Sequence, residues 1–124
     1  MQSKIIICLD GCSPEYLAKS ETPNLDALAR EGFGIIGRAV VPTVTNVNNA
    51  TIVTASFPAV HGITSNYFLD RSNGKEFYME SSEFLLVDTI FRRACKKGKK
   101  SVLLTAKDKL KTLIQDGATI AESA

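Results

Sequence analysis

The chain has 124 residues, which is the length of one ordinary domain. It is 44% hydrophobic and 23% charged, like a soluble globular protein, and its formal net charge of +2 is too small to indicate nucleic-acid binding. No apolar run approaches the roughly 18 residues of a membrane span. The run at residues 4–9 is too short for a signal-peptide core and lacks a cleavage pattern. We therefore expect a cytoplasmic protein that binds neither nucleic acid nor membrane.

The three cysteines do not indicate a disulfide framework. Cys8, Cys12 and Cys95 are an odd number, and none lies in a C-x-x-C pattern. Free cysteines are among the residues most often found in protein interiors, so we expect buried thiols.

The first third of the chain predicts a strand, a helix and a second strand. Residues 4–9 form an apolar run that ends in Asp10-Gly11, which is typical of a buried parallel strand. Residues 22–32 have helical spacing, with Thr22 or Asn24 as a cap and a closing glycine. Residues 33–42 predict the second strand, which a proline stops.

The middle of the chain predicts a helix and a hairpin. The helix runs from Thr45 to about Ala55 and ends before Pro58. Residues 66–80 contain two aromatic-rich runs around Asn73-Gly74, a strong hairpin turn pattern.

The last third predicts a helix at residues 85–98, a buried strand at 100–106 and a helix at 108–117, with no further strand after it. Strands that alternate with helices indicate an α/β fold with a mainly parallel sheet. In such sheets, ligands bind beyond the carboxyl ends of the strands. That rule selects three places: residues 10–11, 42–49 and 105–110.

Asp10 and Thr45 each have two interpretations. Asp10 is either an ordinary turn residue or a metal ligand at a strand end. Thr45 is either a helix cap or a hydroxyl at the positive end of a helix dipole, where an alkoxide or a phosphate is stabilised. A metal ion or a base would make such a hydroxyl a good nucleophile.

Lysines crowd the start of the last predicted helix, in the stretch TAKDKL. If Asp108 caps this helix, Lys107, Lys109 and Lys111 lie near its positive end, which opposes the dipole. The stretch is either a solvated basic face or a cationic clamp for an anionic substrate.

The segment HGITSN holds two more candidates. His61 is the single histidine, and a structural role is the more common one for a lone histidine. Asn66 is either a loop amide or a donor to an oxyanion.

Four separated motifs, in this order, resemble a known superfamily: LDG, TPNLDALAREG, VVPTVTNVNNATIVTASFPAVHGITSN and TAKDKL. The first three resemble the alkaline phosphatase superfamily, and within it the nucleotide pyrophosphatase/phosphodiesterase branch. The resemblance implies that Asp10 is a zinc ligand, that Thr45 is both nucleophile and zinc ligand, and that Asn66 binds a phosphoryl oxygen. Thr43 is the rival nucleophile. The fold implied is a three-layer sandwich with a mainly parallel sheet.

Within that branch, the chain resembles the phosphonoacetate hydrolase family. The phosphodiesterases usually follow the nucleophile with Phe-Pro-Asn-His, whereas residues 46–49 read Asn-Val-Asn-Asn here. The stretch TAKDKL matches the paired lysines of that family through Lys107 and Lys109.

That resemblance implies hydrolysis of phosphonoacetate to acetate and phosphate with two zinc ions. Thr45 would attack phosphorus to give a phosphothreonine, while Lys107 and Lys109 hold the carboxylate and the developing enolate oxygen of the leaving acetate. Two zinc sites need about six protein ligands, but the chain has one histidine and its aspartates do not cluster. We therefore expect residues 1–124 to be the N-terminal part of a longer catalytic domain, inactive by itself.

Two other functions stay open at this point. One is a phosphoester hydrolase of the nucleotide pyrophosphatase/phosphodiesterase type. The other is a non-catalytic α/β domain that binds an anion or a partner. In either enzymatic case the expected partners are a small phosphonate or phosphoester substrate, and either a second copy of the chain or the missing C-terminal part.

Overall fold

The computed structural model describes residues 3–124. The chain divides into two compact units, Met1–Arg38 and Ala39–Ala124. Within the described residues, no helix is long and apolar enough to cross a membrane.

The first unit contains two helices. Helix α1 spans Pro14–Ala18 and helix α2 spans Pro23–Glu31, each with a proline in its first turn. The predicted helix at residues 22–32 is confirmed as α2, which follows Thr22 and ends before Gly32. The hydroxyl of Thr22 does not cap the backbone; it donates to the carboxylate of Asp26 at 3.2 Å.

The two strands predicted at residues 4–9 and 33–42 are wrong at the level of secondary structure. No described strand pairs with either segment, and nearly all of their side chains are exposed, for example Ile5 at 84% and Phe33 at 81%; in these two segments only Val40 is partly buried. A strand of a parallel sheet is held by hydrogen bonds to neighbouring strands and is buried by helices on both faces. Apolar composition alone does not supply these neighbours.

The second unit begins with the predicted helix. Helix α3 spans Thr45–Thr54, close to the expected bounds, and ends at Ala55, whose φ of 53° lies in the left-handed region. A single-turn helix that was not predicted, α4, follows at Pro58–His61.

The predicted hairpin is confirmed. Strand β1, Tyr67–Asp70, pairs antiparallel with β2, Lys75–Tyr78. The turn between them contains Gly74 at φ 69°, a conformation that glycine adopts without strain. Aromatic rings pair across the strands, Tyr67 with Tyr78 and Phe68 with Phe77.

The rest of the second unit alternates helices and strands. A 3-10 helix at Ser82–Phe84 precedes α5 (Ile90–Lys96), β3 (Val102–Thr105) and α6 (Asp108–Ile114). Helix α5 is shorter than predicted because the hydroxyl of Thr89 caps it by accepting the Arg92 N–H.

One strand was missed. Strand β4, Ile120–Ser123, pairs in parallel with β3, although no further strand was expected after residue 117. In this sheet Val102 and Ile120 are paired, and both stay about half exposed. Gly117, at φ 84°, allows the chain to reach β4, and a Cβ there would collide with the backbone of Arg92.

The core lies entirely in the second unit. It is formed by α3, α6, the segment after α4, the end of the hairpin and β3, with these buried apolar residues: Val47, Ala50, Ile63, Met79, Leu103, Leu110, Leu113 and Ile114. The prediction of buried thiols is wrong, because Cys8, Cys12 and Cys95 are all exposed and free. Cys8 lies in the unpaired segment 4–9, and Cys95 lies on the outer face of α5.

Candidate active site

Thr45 is the first residue of α3, half-buried, directly after the extended residue Val44. Its carbonyl accepts a hydrogen bond from the Asn49 side chain at 3.0 Å. The hydroxyl therefore lies in the first turn of a ten-residue helix, where the unpaired backbone N–H groups make the local potential positive. The rival, Thr43, is exposed in the loop that precedes the helix.

The structure brings Thr45 and Lys107 together. The Lys107 ammonium lies 3.4 Å from the Thr45 hydroxyl oxygen, although 62 residues separate them in sequence. Lys107 immediately precedes α6, which packs against α3. A cation beside a hydroxyl favours its deprotonated form and attracts an anionic ligand.

Lys109 contacts different groups. Its ammonium pairs with the Glu80 carboxylate at 2.9 Å and lies 4.4 Å from the ring centre of Tyr78. The hydrogen bond to Glu80 raises the pKa of Lys109. The two lysines of TAKDKL thus have separate partners in the second unit, one a hydroxyl and the other a carboxylate.

The suggestion that Asp108 caps the last helix is wrong. Asp108 is the first residue of α6 and Lys107 precedes it. The Asp108 carboxylate accepts a hydrogen bond from the Ser123 hydroxyl on β4 and pairs with Lys111 at 3.4 Å. These contacts, that of Ser123 first, lower the pKa of Asp108.

Asn66 lies just before β1, with its side chain exposed. Its backbone carbonyl accepts the Met79 N–H at 2.8 Å. The Met79 carbonyl in turn accepts a hydrogen bond at 3.0 Å from the side chain of Asn46, the residue after Thr45. Asn66 is therefore linked to the first turn of α3 through the backbone of residue 79.

The side chains of Asn48 and Asn49 bind nearby backbone groups. The Asn48 side chain accepts from the Val40 N–H at 2.9 Å and donates to the Val40 and Val44 carbonyls at 3.1 and 3.3 Å. It fixes the loop that leads into α3. The hydroxyls of Thr51 and Thr54 donate to the carbonyls of Val47 and Ala50.

His61 lies in the interior, and both of its ring nitrogens are bonded to other parts of the second unit. It is fully buried, and the Ile63 N–H donates to its Nδ1 at 3.1 Å. Its Nε2 lies 3.0 Å from the hydroxyl of Thr51 on α3. Burial lowers the pKa of His61, which keeps the ring neutral.

Asp10 belongs to the first unit. It lies exposed in a turn after the segment 4–9, next to Gly11 at φ 72°, and the Cys12 N–H donates to the Leu9 carbonyl across that turn. Both the turn interpretation and the ligand interpretation are compatible with this position.

Residues 3–124 contain no group of three or more His, Cys, Asp or Glu side chains arranged to hold a metal ion. A tetrahedral zinc site takes three or four protein ligands. The two donors that the sequence nominates, Asp10 and Thr45, are too few. The described residues do not by themselves fit a two-metal centre.

Sequence reasoning missed two residues. Asn46 is 92% buried by its neighbours, and it shares the inward face of α3 with Val47, Ala50 and Thr54. Helical spacing would have placed it on that face. Glu80 gives no comparable local pattern, because its partner Lys109 lies 29 positions further along the chain.

A model of the type I phosphodiesterase/nucleotide pyrophosphatase family matches residues 4–114. An uncharacterized pyrophosphatase/phosphodiesterase of Schizosaccharomyces pombe is 42% identical over 74 residues, which are 59% of this chain and 15% of the relative. Ectonucleotide pyrophosphatase/phosphodiesterase 1 of Saccharomyces cerevisiae is 37% identical over 82 residues, covering 60% of this chain and 11% of the relative.

The fold resembles phosphonoacetate hydrolase from Sinorhizobium meliloti 1021, solved in complex with phosphonoacetate. The TM-score is 0.84 at 39% identity, over 89% of this chain and 28% of that chain. The same enzyme in complex with phosphonoformate gives 0.84 at 40% identity. The predicted α/β, alkaline-phosphatase-like fold class is confirmed by this likeness. The chain spans between about a tenth and somewhat over a quarter of the length of these proteins.

Proposed function

Because this chain belongs to the type I phosphodiesterase/nucleotide pyrophosphatase family, we propose that it is the N-terminal part of a hydrolase that cleaves the carbon–phosphorus bond of phosphonoacetate. The observation that carries the proposal is the 3.4 Å contact between the Lys107 ammonium and the Thr45 hydroxyl. It joins a nucleophile and a cation at the start of a helix, where a phosphoryl group would be stabilised.

In the proposed reaction, the Thr45 oxygen attacks phosphorus. A new O–P bond forms, the C–P bond breaks, and its electron pair leaves as the enolate of acetate, which then takes up a proton. Water hydrolyses the phosphothreonine, so that phosphonoacetate and water give acetate and phosphate. Asn66 would donate to a phosphoryl oxygen. An enolate is a far better leaving group than a bare carbanion, which explains the use of cations here.

Lys107 and Lys109 would bind the carboxylate and the enolate oxygen. Lys107 already lies beside the nucleophile. The Lys109 side chain is 64% exposed, and a pair so exposed to solvent is weak. Lys109 can therefore exchange the Glu80 carboxylate for that of a substrate.

We also propose zinc as the metal and Asp10 and Thr45 as two of its ligands. The remaining ligands would lie in sequence outside residues 1–124. Such sequence, or a second copy, would also cover the apolar side chains that β3 and β4 leave exposed, such as Leu104 and Ile120. The 124-residue chain should then bind fewer than two zinc ions and release no phosphate. Two tightly bound ions would contradict this part of the proposal.

The second candidate is hydrolysis of a phosphodiester or pyrophosphate. It is favoured by the 37% and 42% identity to relatives named pyrophosphatase/phosphodiesterase. The same nucleophile would serve, with an alkoxide or phosphate as the leaving group.

The deciding experiment uses the longer parent protein and two substrates, phosphonoacetate and a chromogenic phosphodiester. We expect phosphate and acetate from phosphonoacetate, and loss of that activity by several orders of magnitude in Thr45→Ala but not in Thr43→Ala. Turnover of the diester alone would favour the second candidate. Unchanged turnover in Thr45→Ala would reject Thr45 as the nucleophile in both candidates, and turnover of neither substrate by the parent protein would favour a binding domain.

A further inference from the structure

We propose that His61 and Asn46 are positioning residues that fix the phosphoryl-binding Asn66 relative to the nucleophile Thr45. The proposal rests on the proposed function, which gives Thr45 and Asn66 their roles. It concerns the segment 61–66, which two separate sets of hydrogen bonds hold to helix α3. We call them the first tie, from His61 to Thr51, and the second tie, from Asn66 through the backbone of Met79 to Asn46.

The first tie starts at His61. Because the Ile63 N–H donates to Nδ1 at 3.1 Å, Nδ1 carries no proton in the neutral ring, and Nε2 does. The Nε2–H then donates to the Thr51 hydroxyl at 3.0 Å. That hydroxyl donates its own proton to the Val47 carbonyl at 2.9 Å, so every proton in the chain of bonds has one acceptor.

The second tie passes through the backbone of Met79. The Met79 N–H donates to the Asn66 carbonyl at 2.8 Å, and the Met79 carbonyl accepts from the Asn46 side chain at 3.0 Å. Asn46 follows Thr45 directly. The path from the nucleophile to Asn66 therefore passes through the side chain of Asn46 and the backbone of Met79.

The two ties hold opposite ends of the same segment. His61 fixes its start to the middle of α3, and Met79 fixes its end to the first turn of α3. His61 is fully buried and Asn46 is 8% exposed, so a lost bond leaves a polar group that water cannot reach. Both ties join regions that are distant in sequence, 10 residues apart in one case and 33 in the other.

The tautomer can be measured directly on the 124-residue chain, without turnover. The chain has a single histidine, so the imidazole ¹⁵N resonances need no residue assignment, and their couplings to the two ring C–H protons distinguish Nδ1 from Nε2. We expect an unprotonated Nδ1 and a protonated Nε2 at neutral pH. The opposite tautomer, or a ring averaging between both, would overturn the first tie.

Two substitutions separate the two bonds of His61. Asn can place an oxygen near Nδ1 to accept the Ile63 N–H, whereas Gln can place an N–H near Nε2 to donate to Thr51. In the longer parent protein, we expect His61→Asn to lower kcat about 100-fold, the effect of a displacement near 1 Å, with KM within about twofold. His61→Gln should recover a large part of kcat.

Asn46→Ala should lower kcat in the same way, because Met79 and Asn66 would lose their link to α3. The control is Thr54→Ala, which removes a buried hydroxyl at the far end of the same helix. It should lower stability but leave kcat within about twofold. If Thr54→Ala and Asn46→Ala lower kcat equally, or if His61→Gln recovers nothing, the two residues are only structural.

The outcomes separate this proposal from the proposed function. If Thr45→Ala abolishes turnover while His61→Asn and Asn46→Ala retain kcat, only the positioning role fails. If Thr45→Ala retains turnover, the proposed function fails, and the tautomer measurement still decides whether the first tie exists.

Discussion

Residues 3–38 and residues 39–124 both contain runs of apolar residues, but only the second region has a buried interior. In the first region no described residue is buried, and Ile5, Ile7 and Ile35 are each at least 76% exposed. In the second, Val47, Ile63 and Leu113 are fully buried. An apolar run therefore specifies a strand only where the chain also supplies the surfaces that cover it.

The largest expected effect comes from truncating one leucine in each region and comparing the two losses of stability. Leu113→Ala removes a fully buried side chain from α6 and should lower the free energy of unfolding by about 2–5 kcal/mol. Leu28→Ala removes a side chain of α2 that is 68% exposed and should change it by no more than about 0.5 kcal/mol. Urea unfolding of the 124-residue chain measures both. Equal losses would mean that the first region is packed in solution.

Replacing one asparagine in each region should give a smaller difference in stability. Asn48→Ala removes the bonds to both backbone groups of Val40 and should lower the free energy of unfolding by about 1–3 kcal/mol. Asn24→Ala, on the exposed first turn of α2, should fall within about 0.5 kcal/mol of the original chain. The same unfolding assay applies. A loss at Asn24 as large as that at Asn48 would contradict the contrast.

The stability of the second region should depend on pH through His61. The buried His61 has a pKa below the ordinary value of 6.5, so below pH 6.5 the unfolded chain binds a proton that the folded chain does not. Stability from this group is complete above pH 6.5. It falls by at most about 1.4 kcal/mol per pH unit as pH drops from 6.5 to the folded pKa, and then levels off. Subtracting the profile of His61→Gln isolates this contribution; identical profiles would place the ring in water.

The smallest effect belongs to an exposed contact of the second region. Glu80→Gln should return the raised pKa of Lys109 towards 10.5, because Glu80 is the main cause of the shift. The Lys109 side-chain resonances followed through a pH titration measure it. Stability should hardly change, since the ammonium is exposed. An unchanged Lys109 pKa would show that the ion pair does not form in solution.

Local sequence patterns predicted the elements whose boundaries are marked by single residues. Asn73-Gly74 predicted the hairpin, and Pro42 and Pro58 bracketed α3. Strand β4 was missed because Ile120, Ala121 and Glu122 give no strong alternation, and what defines it is its parallel pairing with β3. The opposite error occurred at residues 4–9, where the pattern predicts a strand but no described strand pairs with it.

The candidate site shows the same limit. The resemblance nominated Thr45 and Lys107, and the structure brings them within 3.4 Å. It could not indicate that Lys109 pairs with Glu80, or that Asn46 contacts Met79, because both contacts depend on where the hairpin packs. Roles that come from residue type can be inferred from sequence, whereas roles that come from a partner 30 positions away cannot.

Met79 illustrates a consequence for mutational scanning. Its side chain is packed in the core at 6% exposure, while its N–H and its carbonyl join Asn66 to Asn46. Exchanging the side chain for another apolar one of similar volume would report only on packing, so such a scan would register position 79 as tolerant. The connection would become visible only when the backbone is altered, for example when Met79→Pro or an amide-to-ester replacement removes the N–H that donates to Asn66.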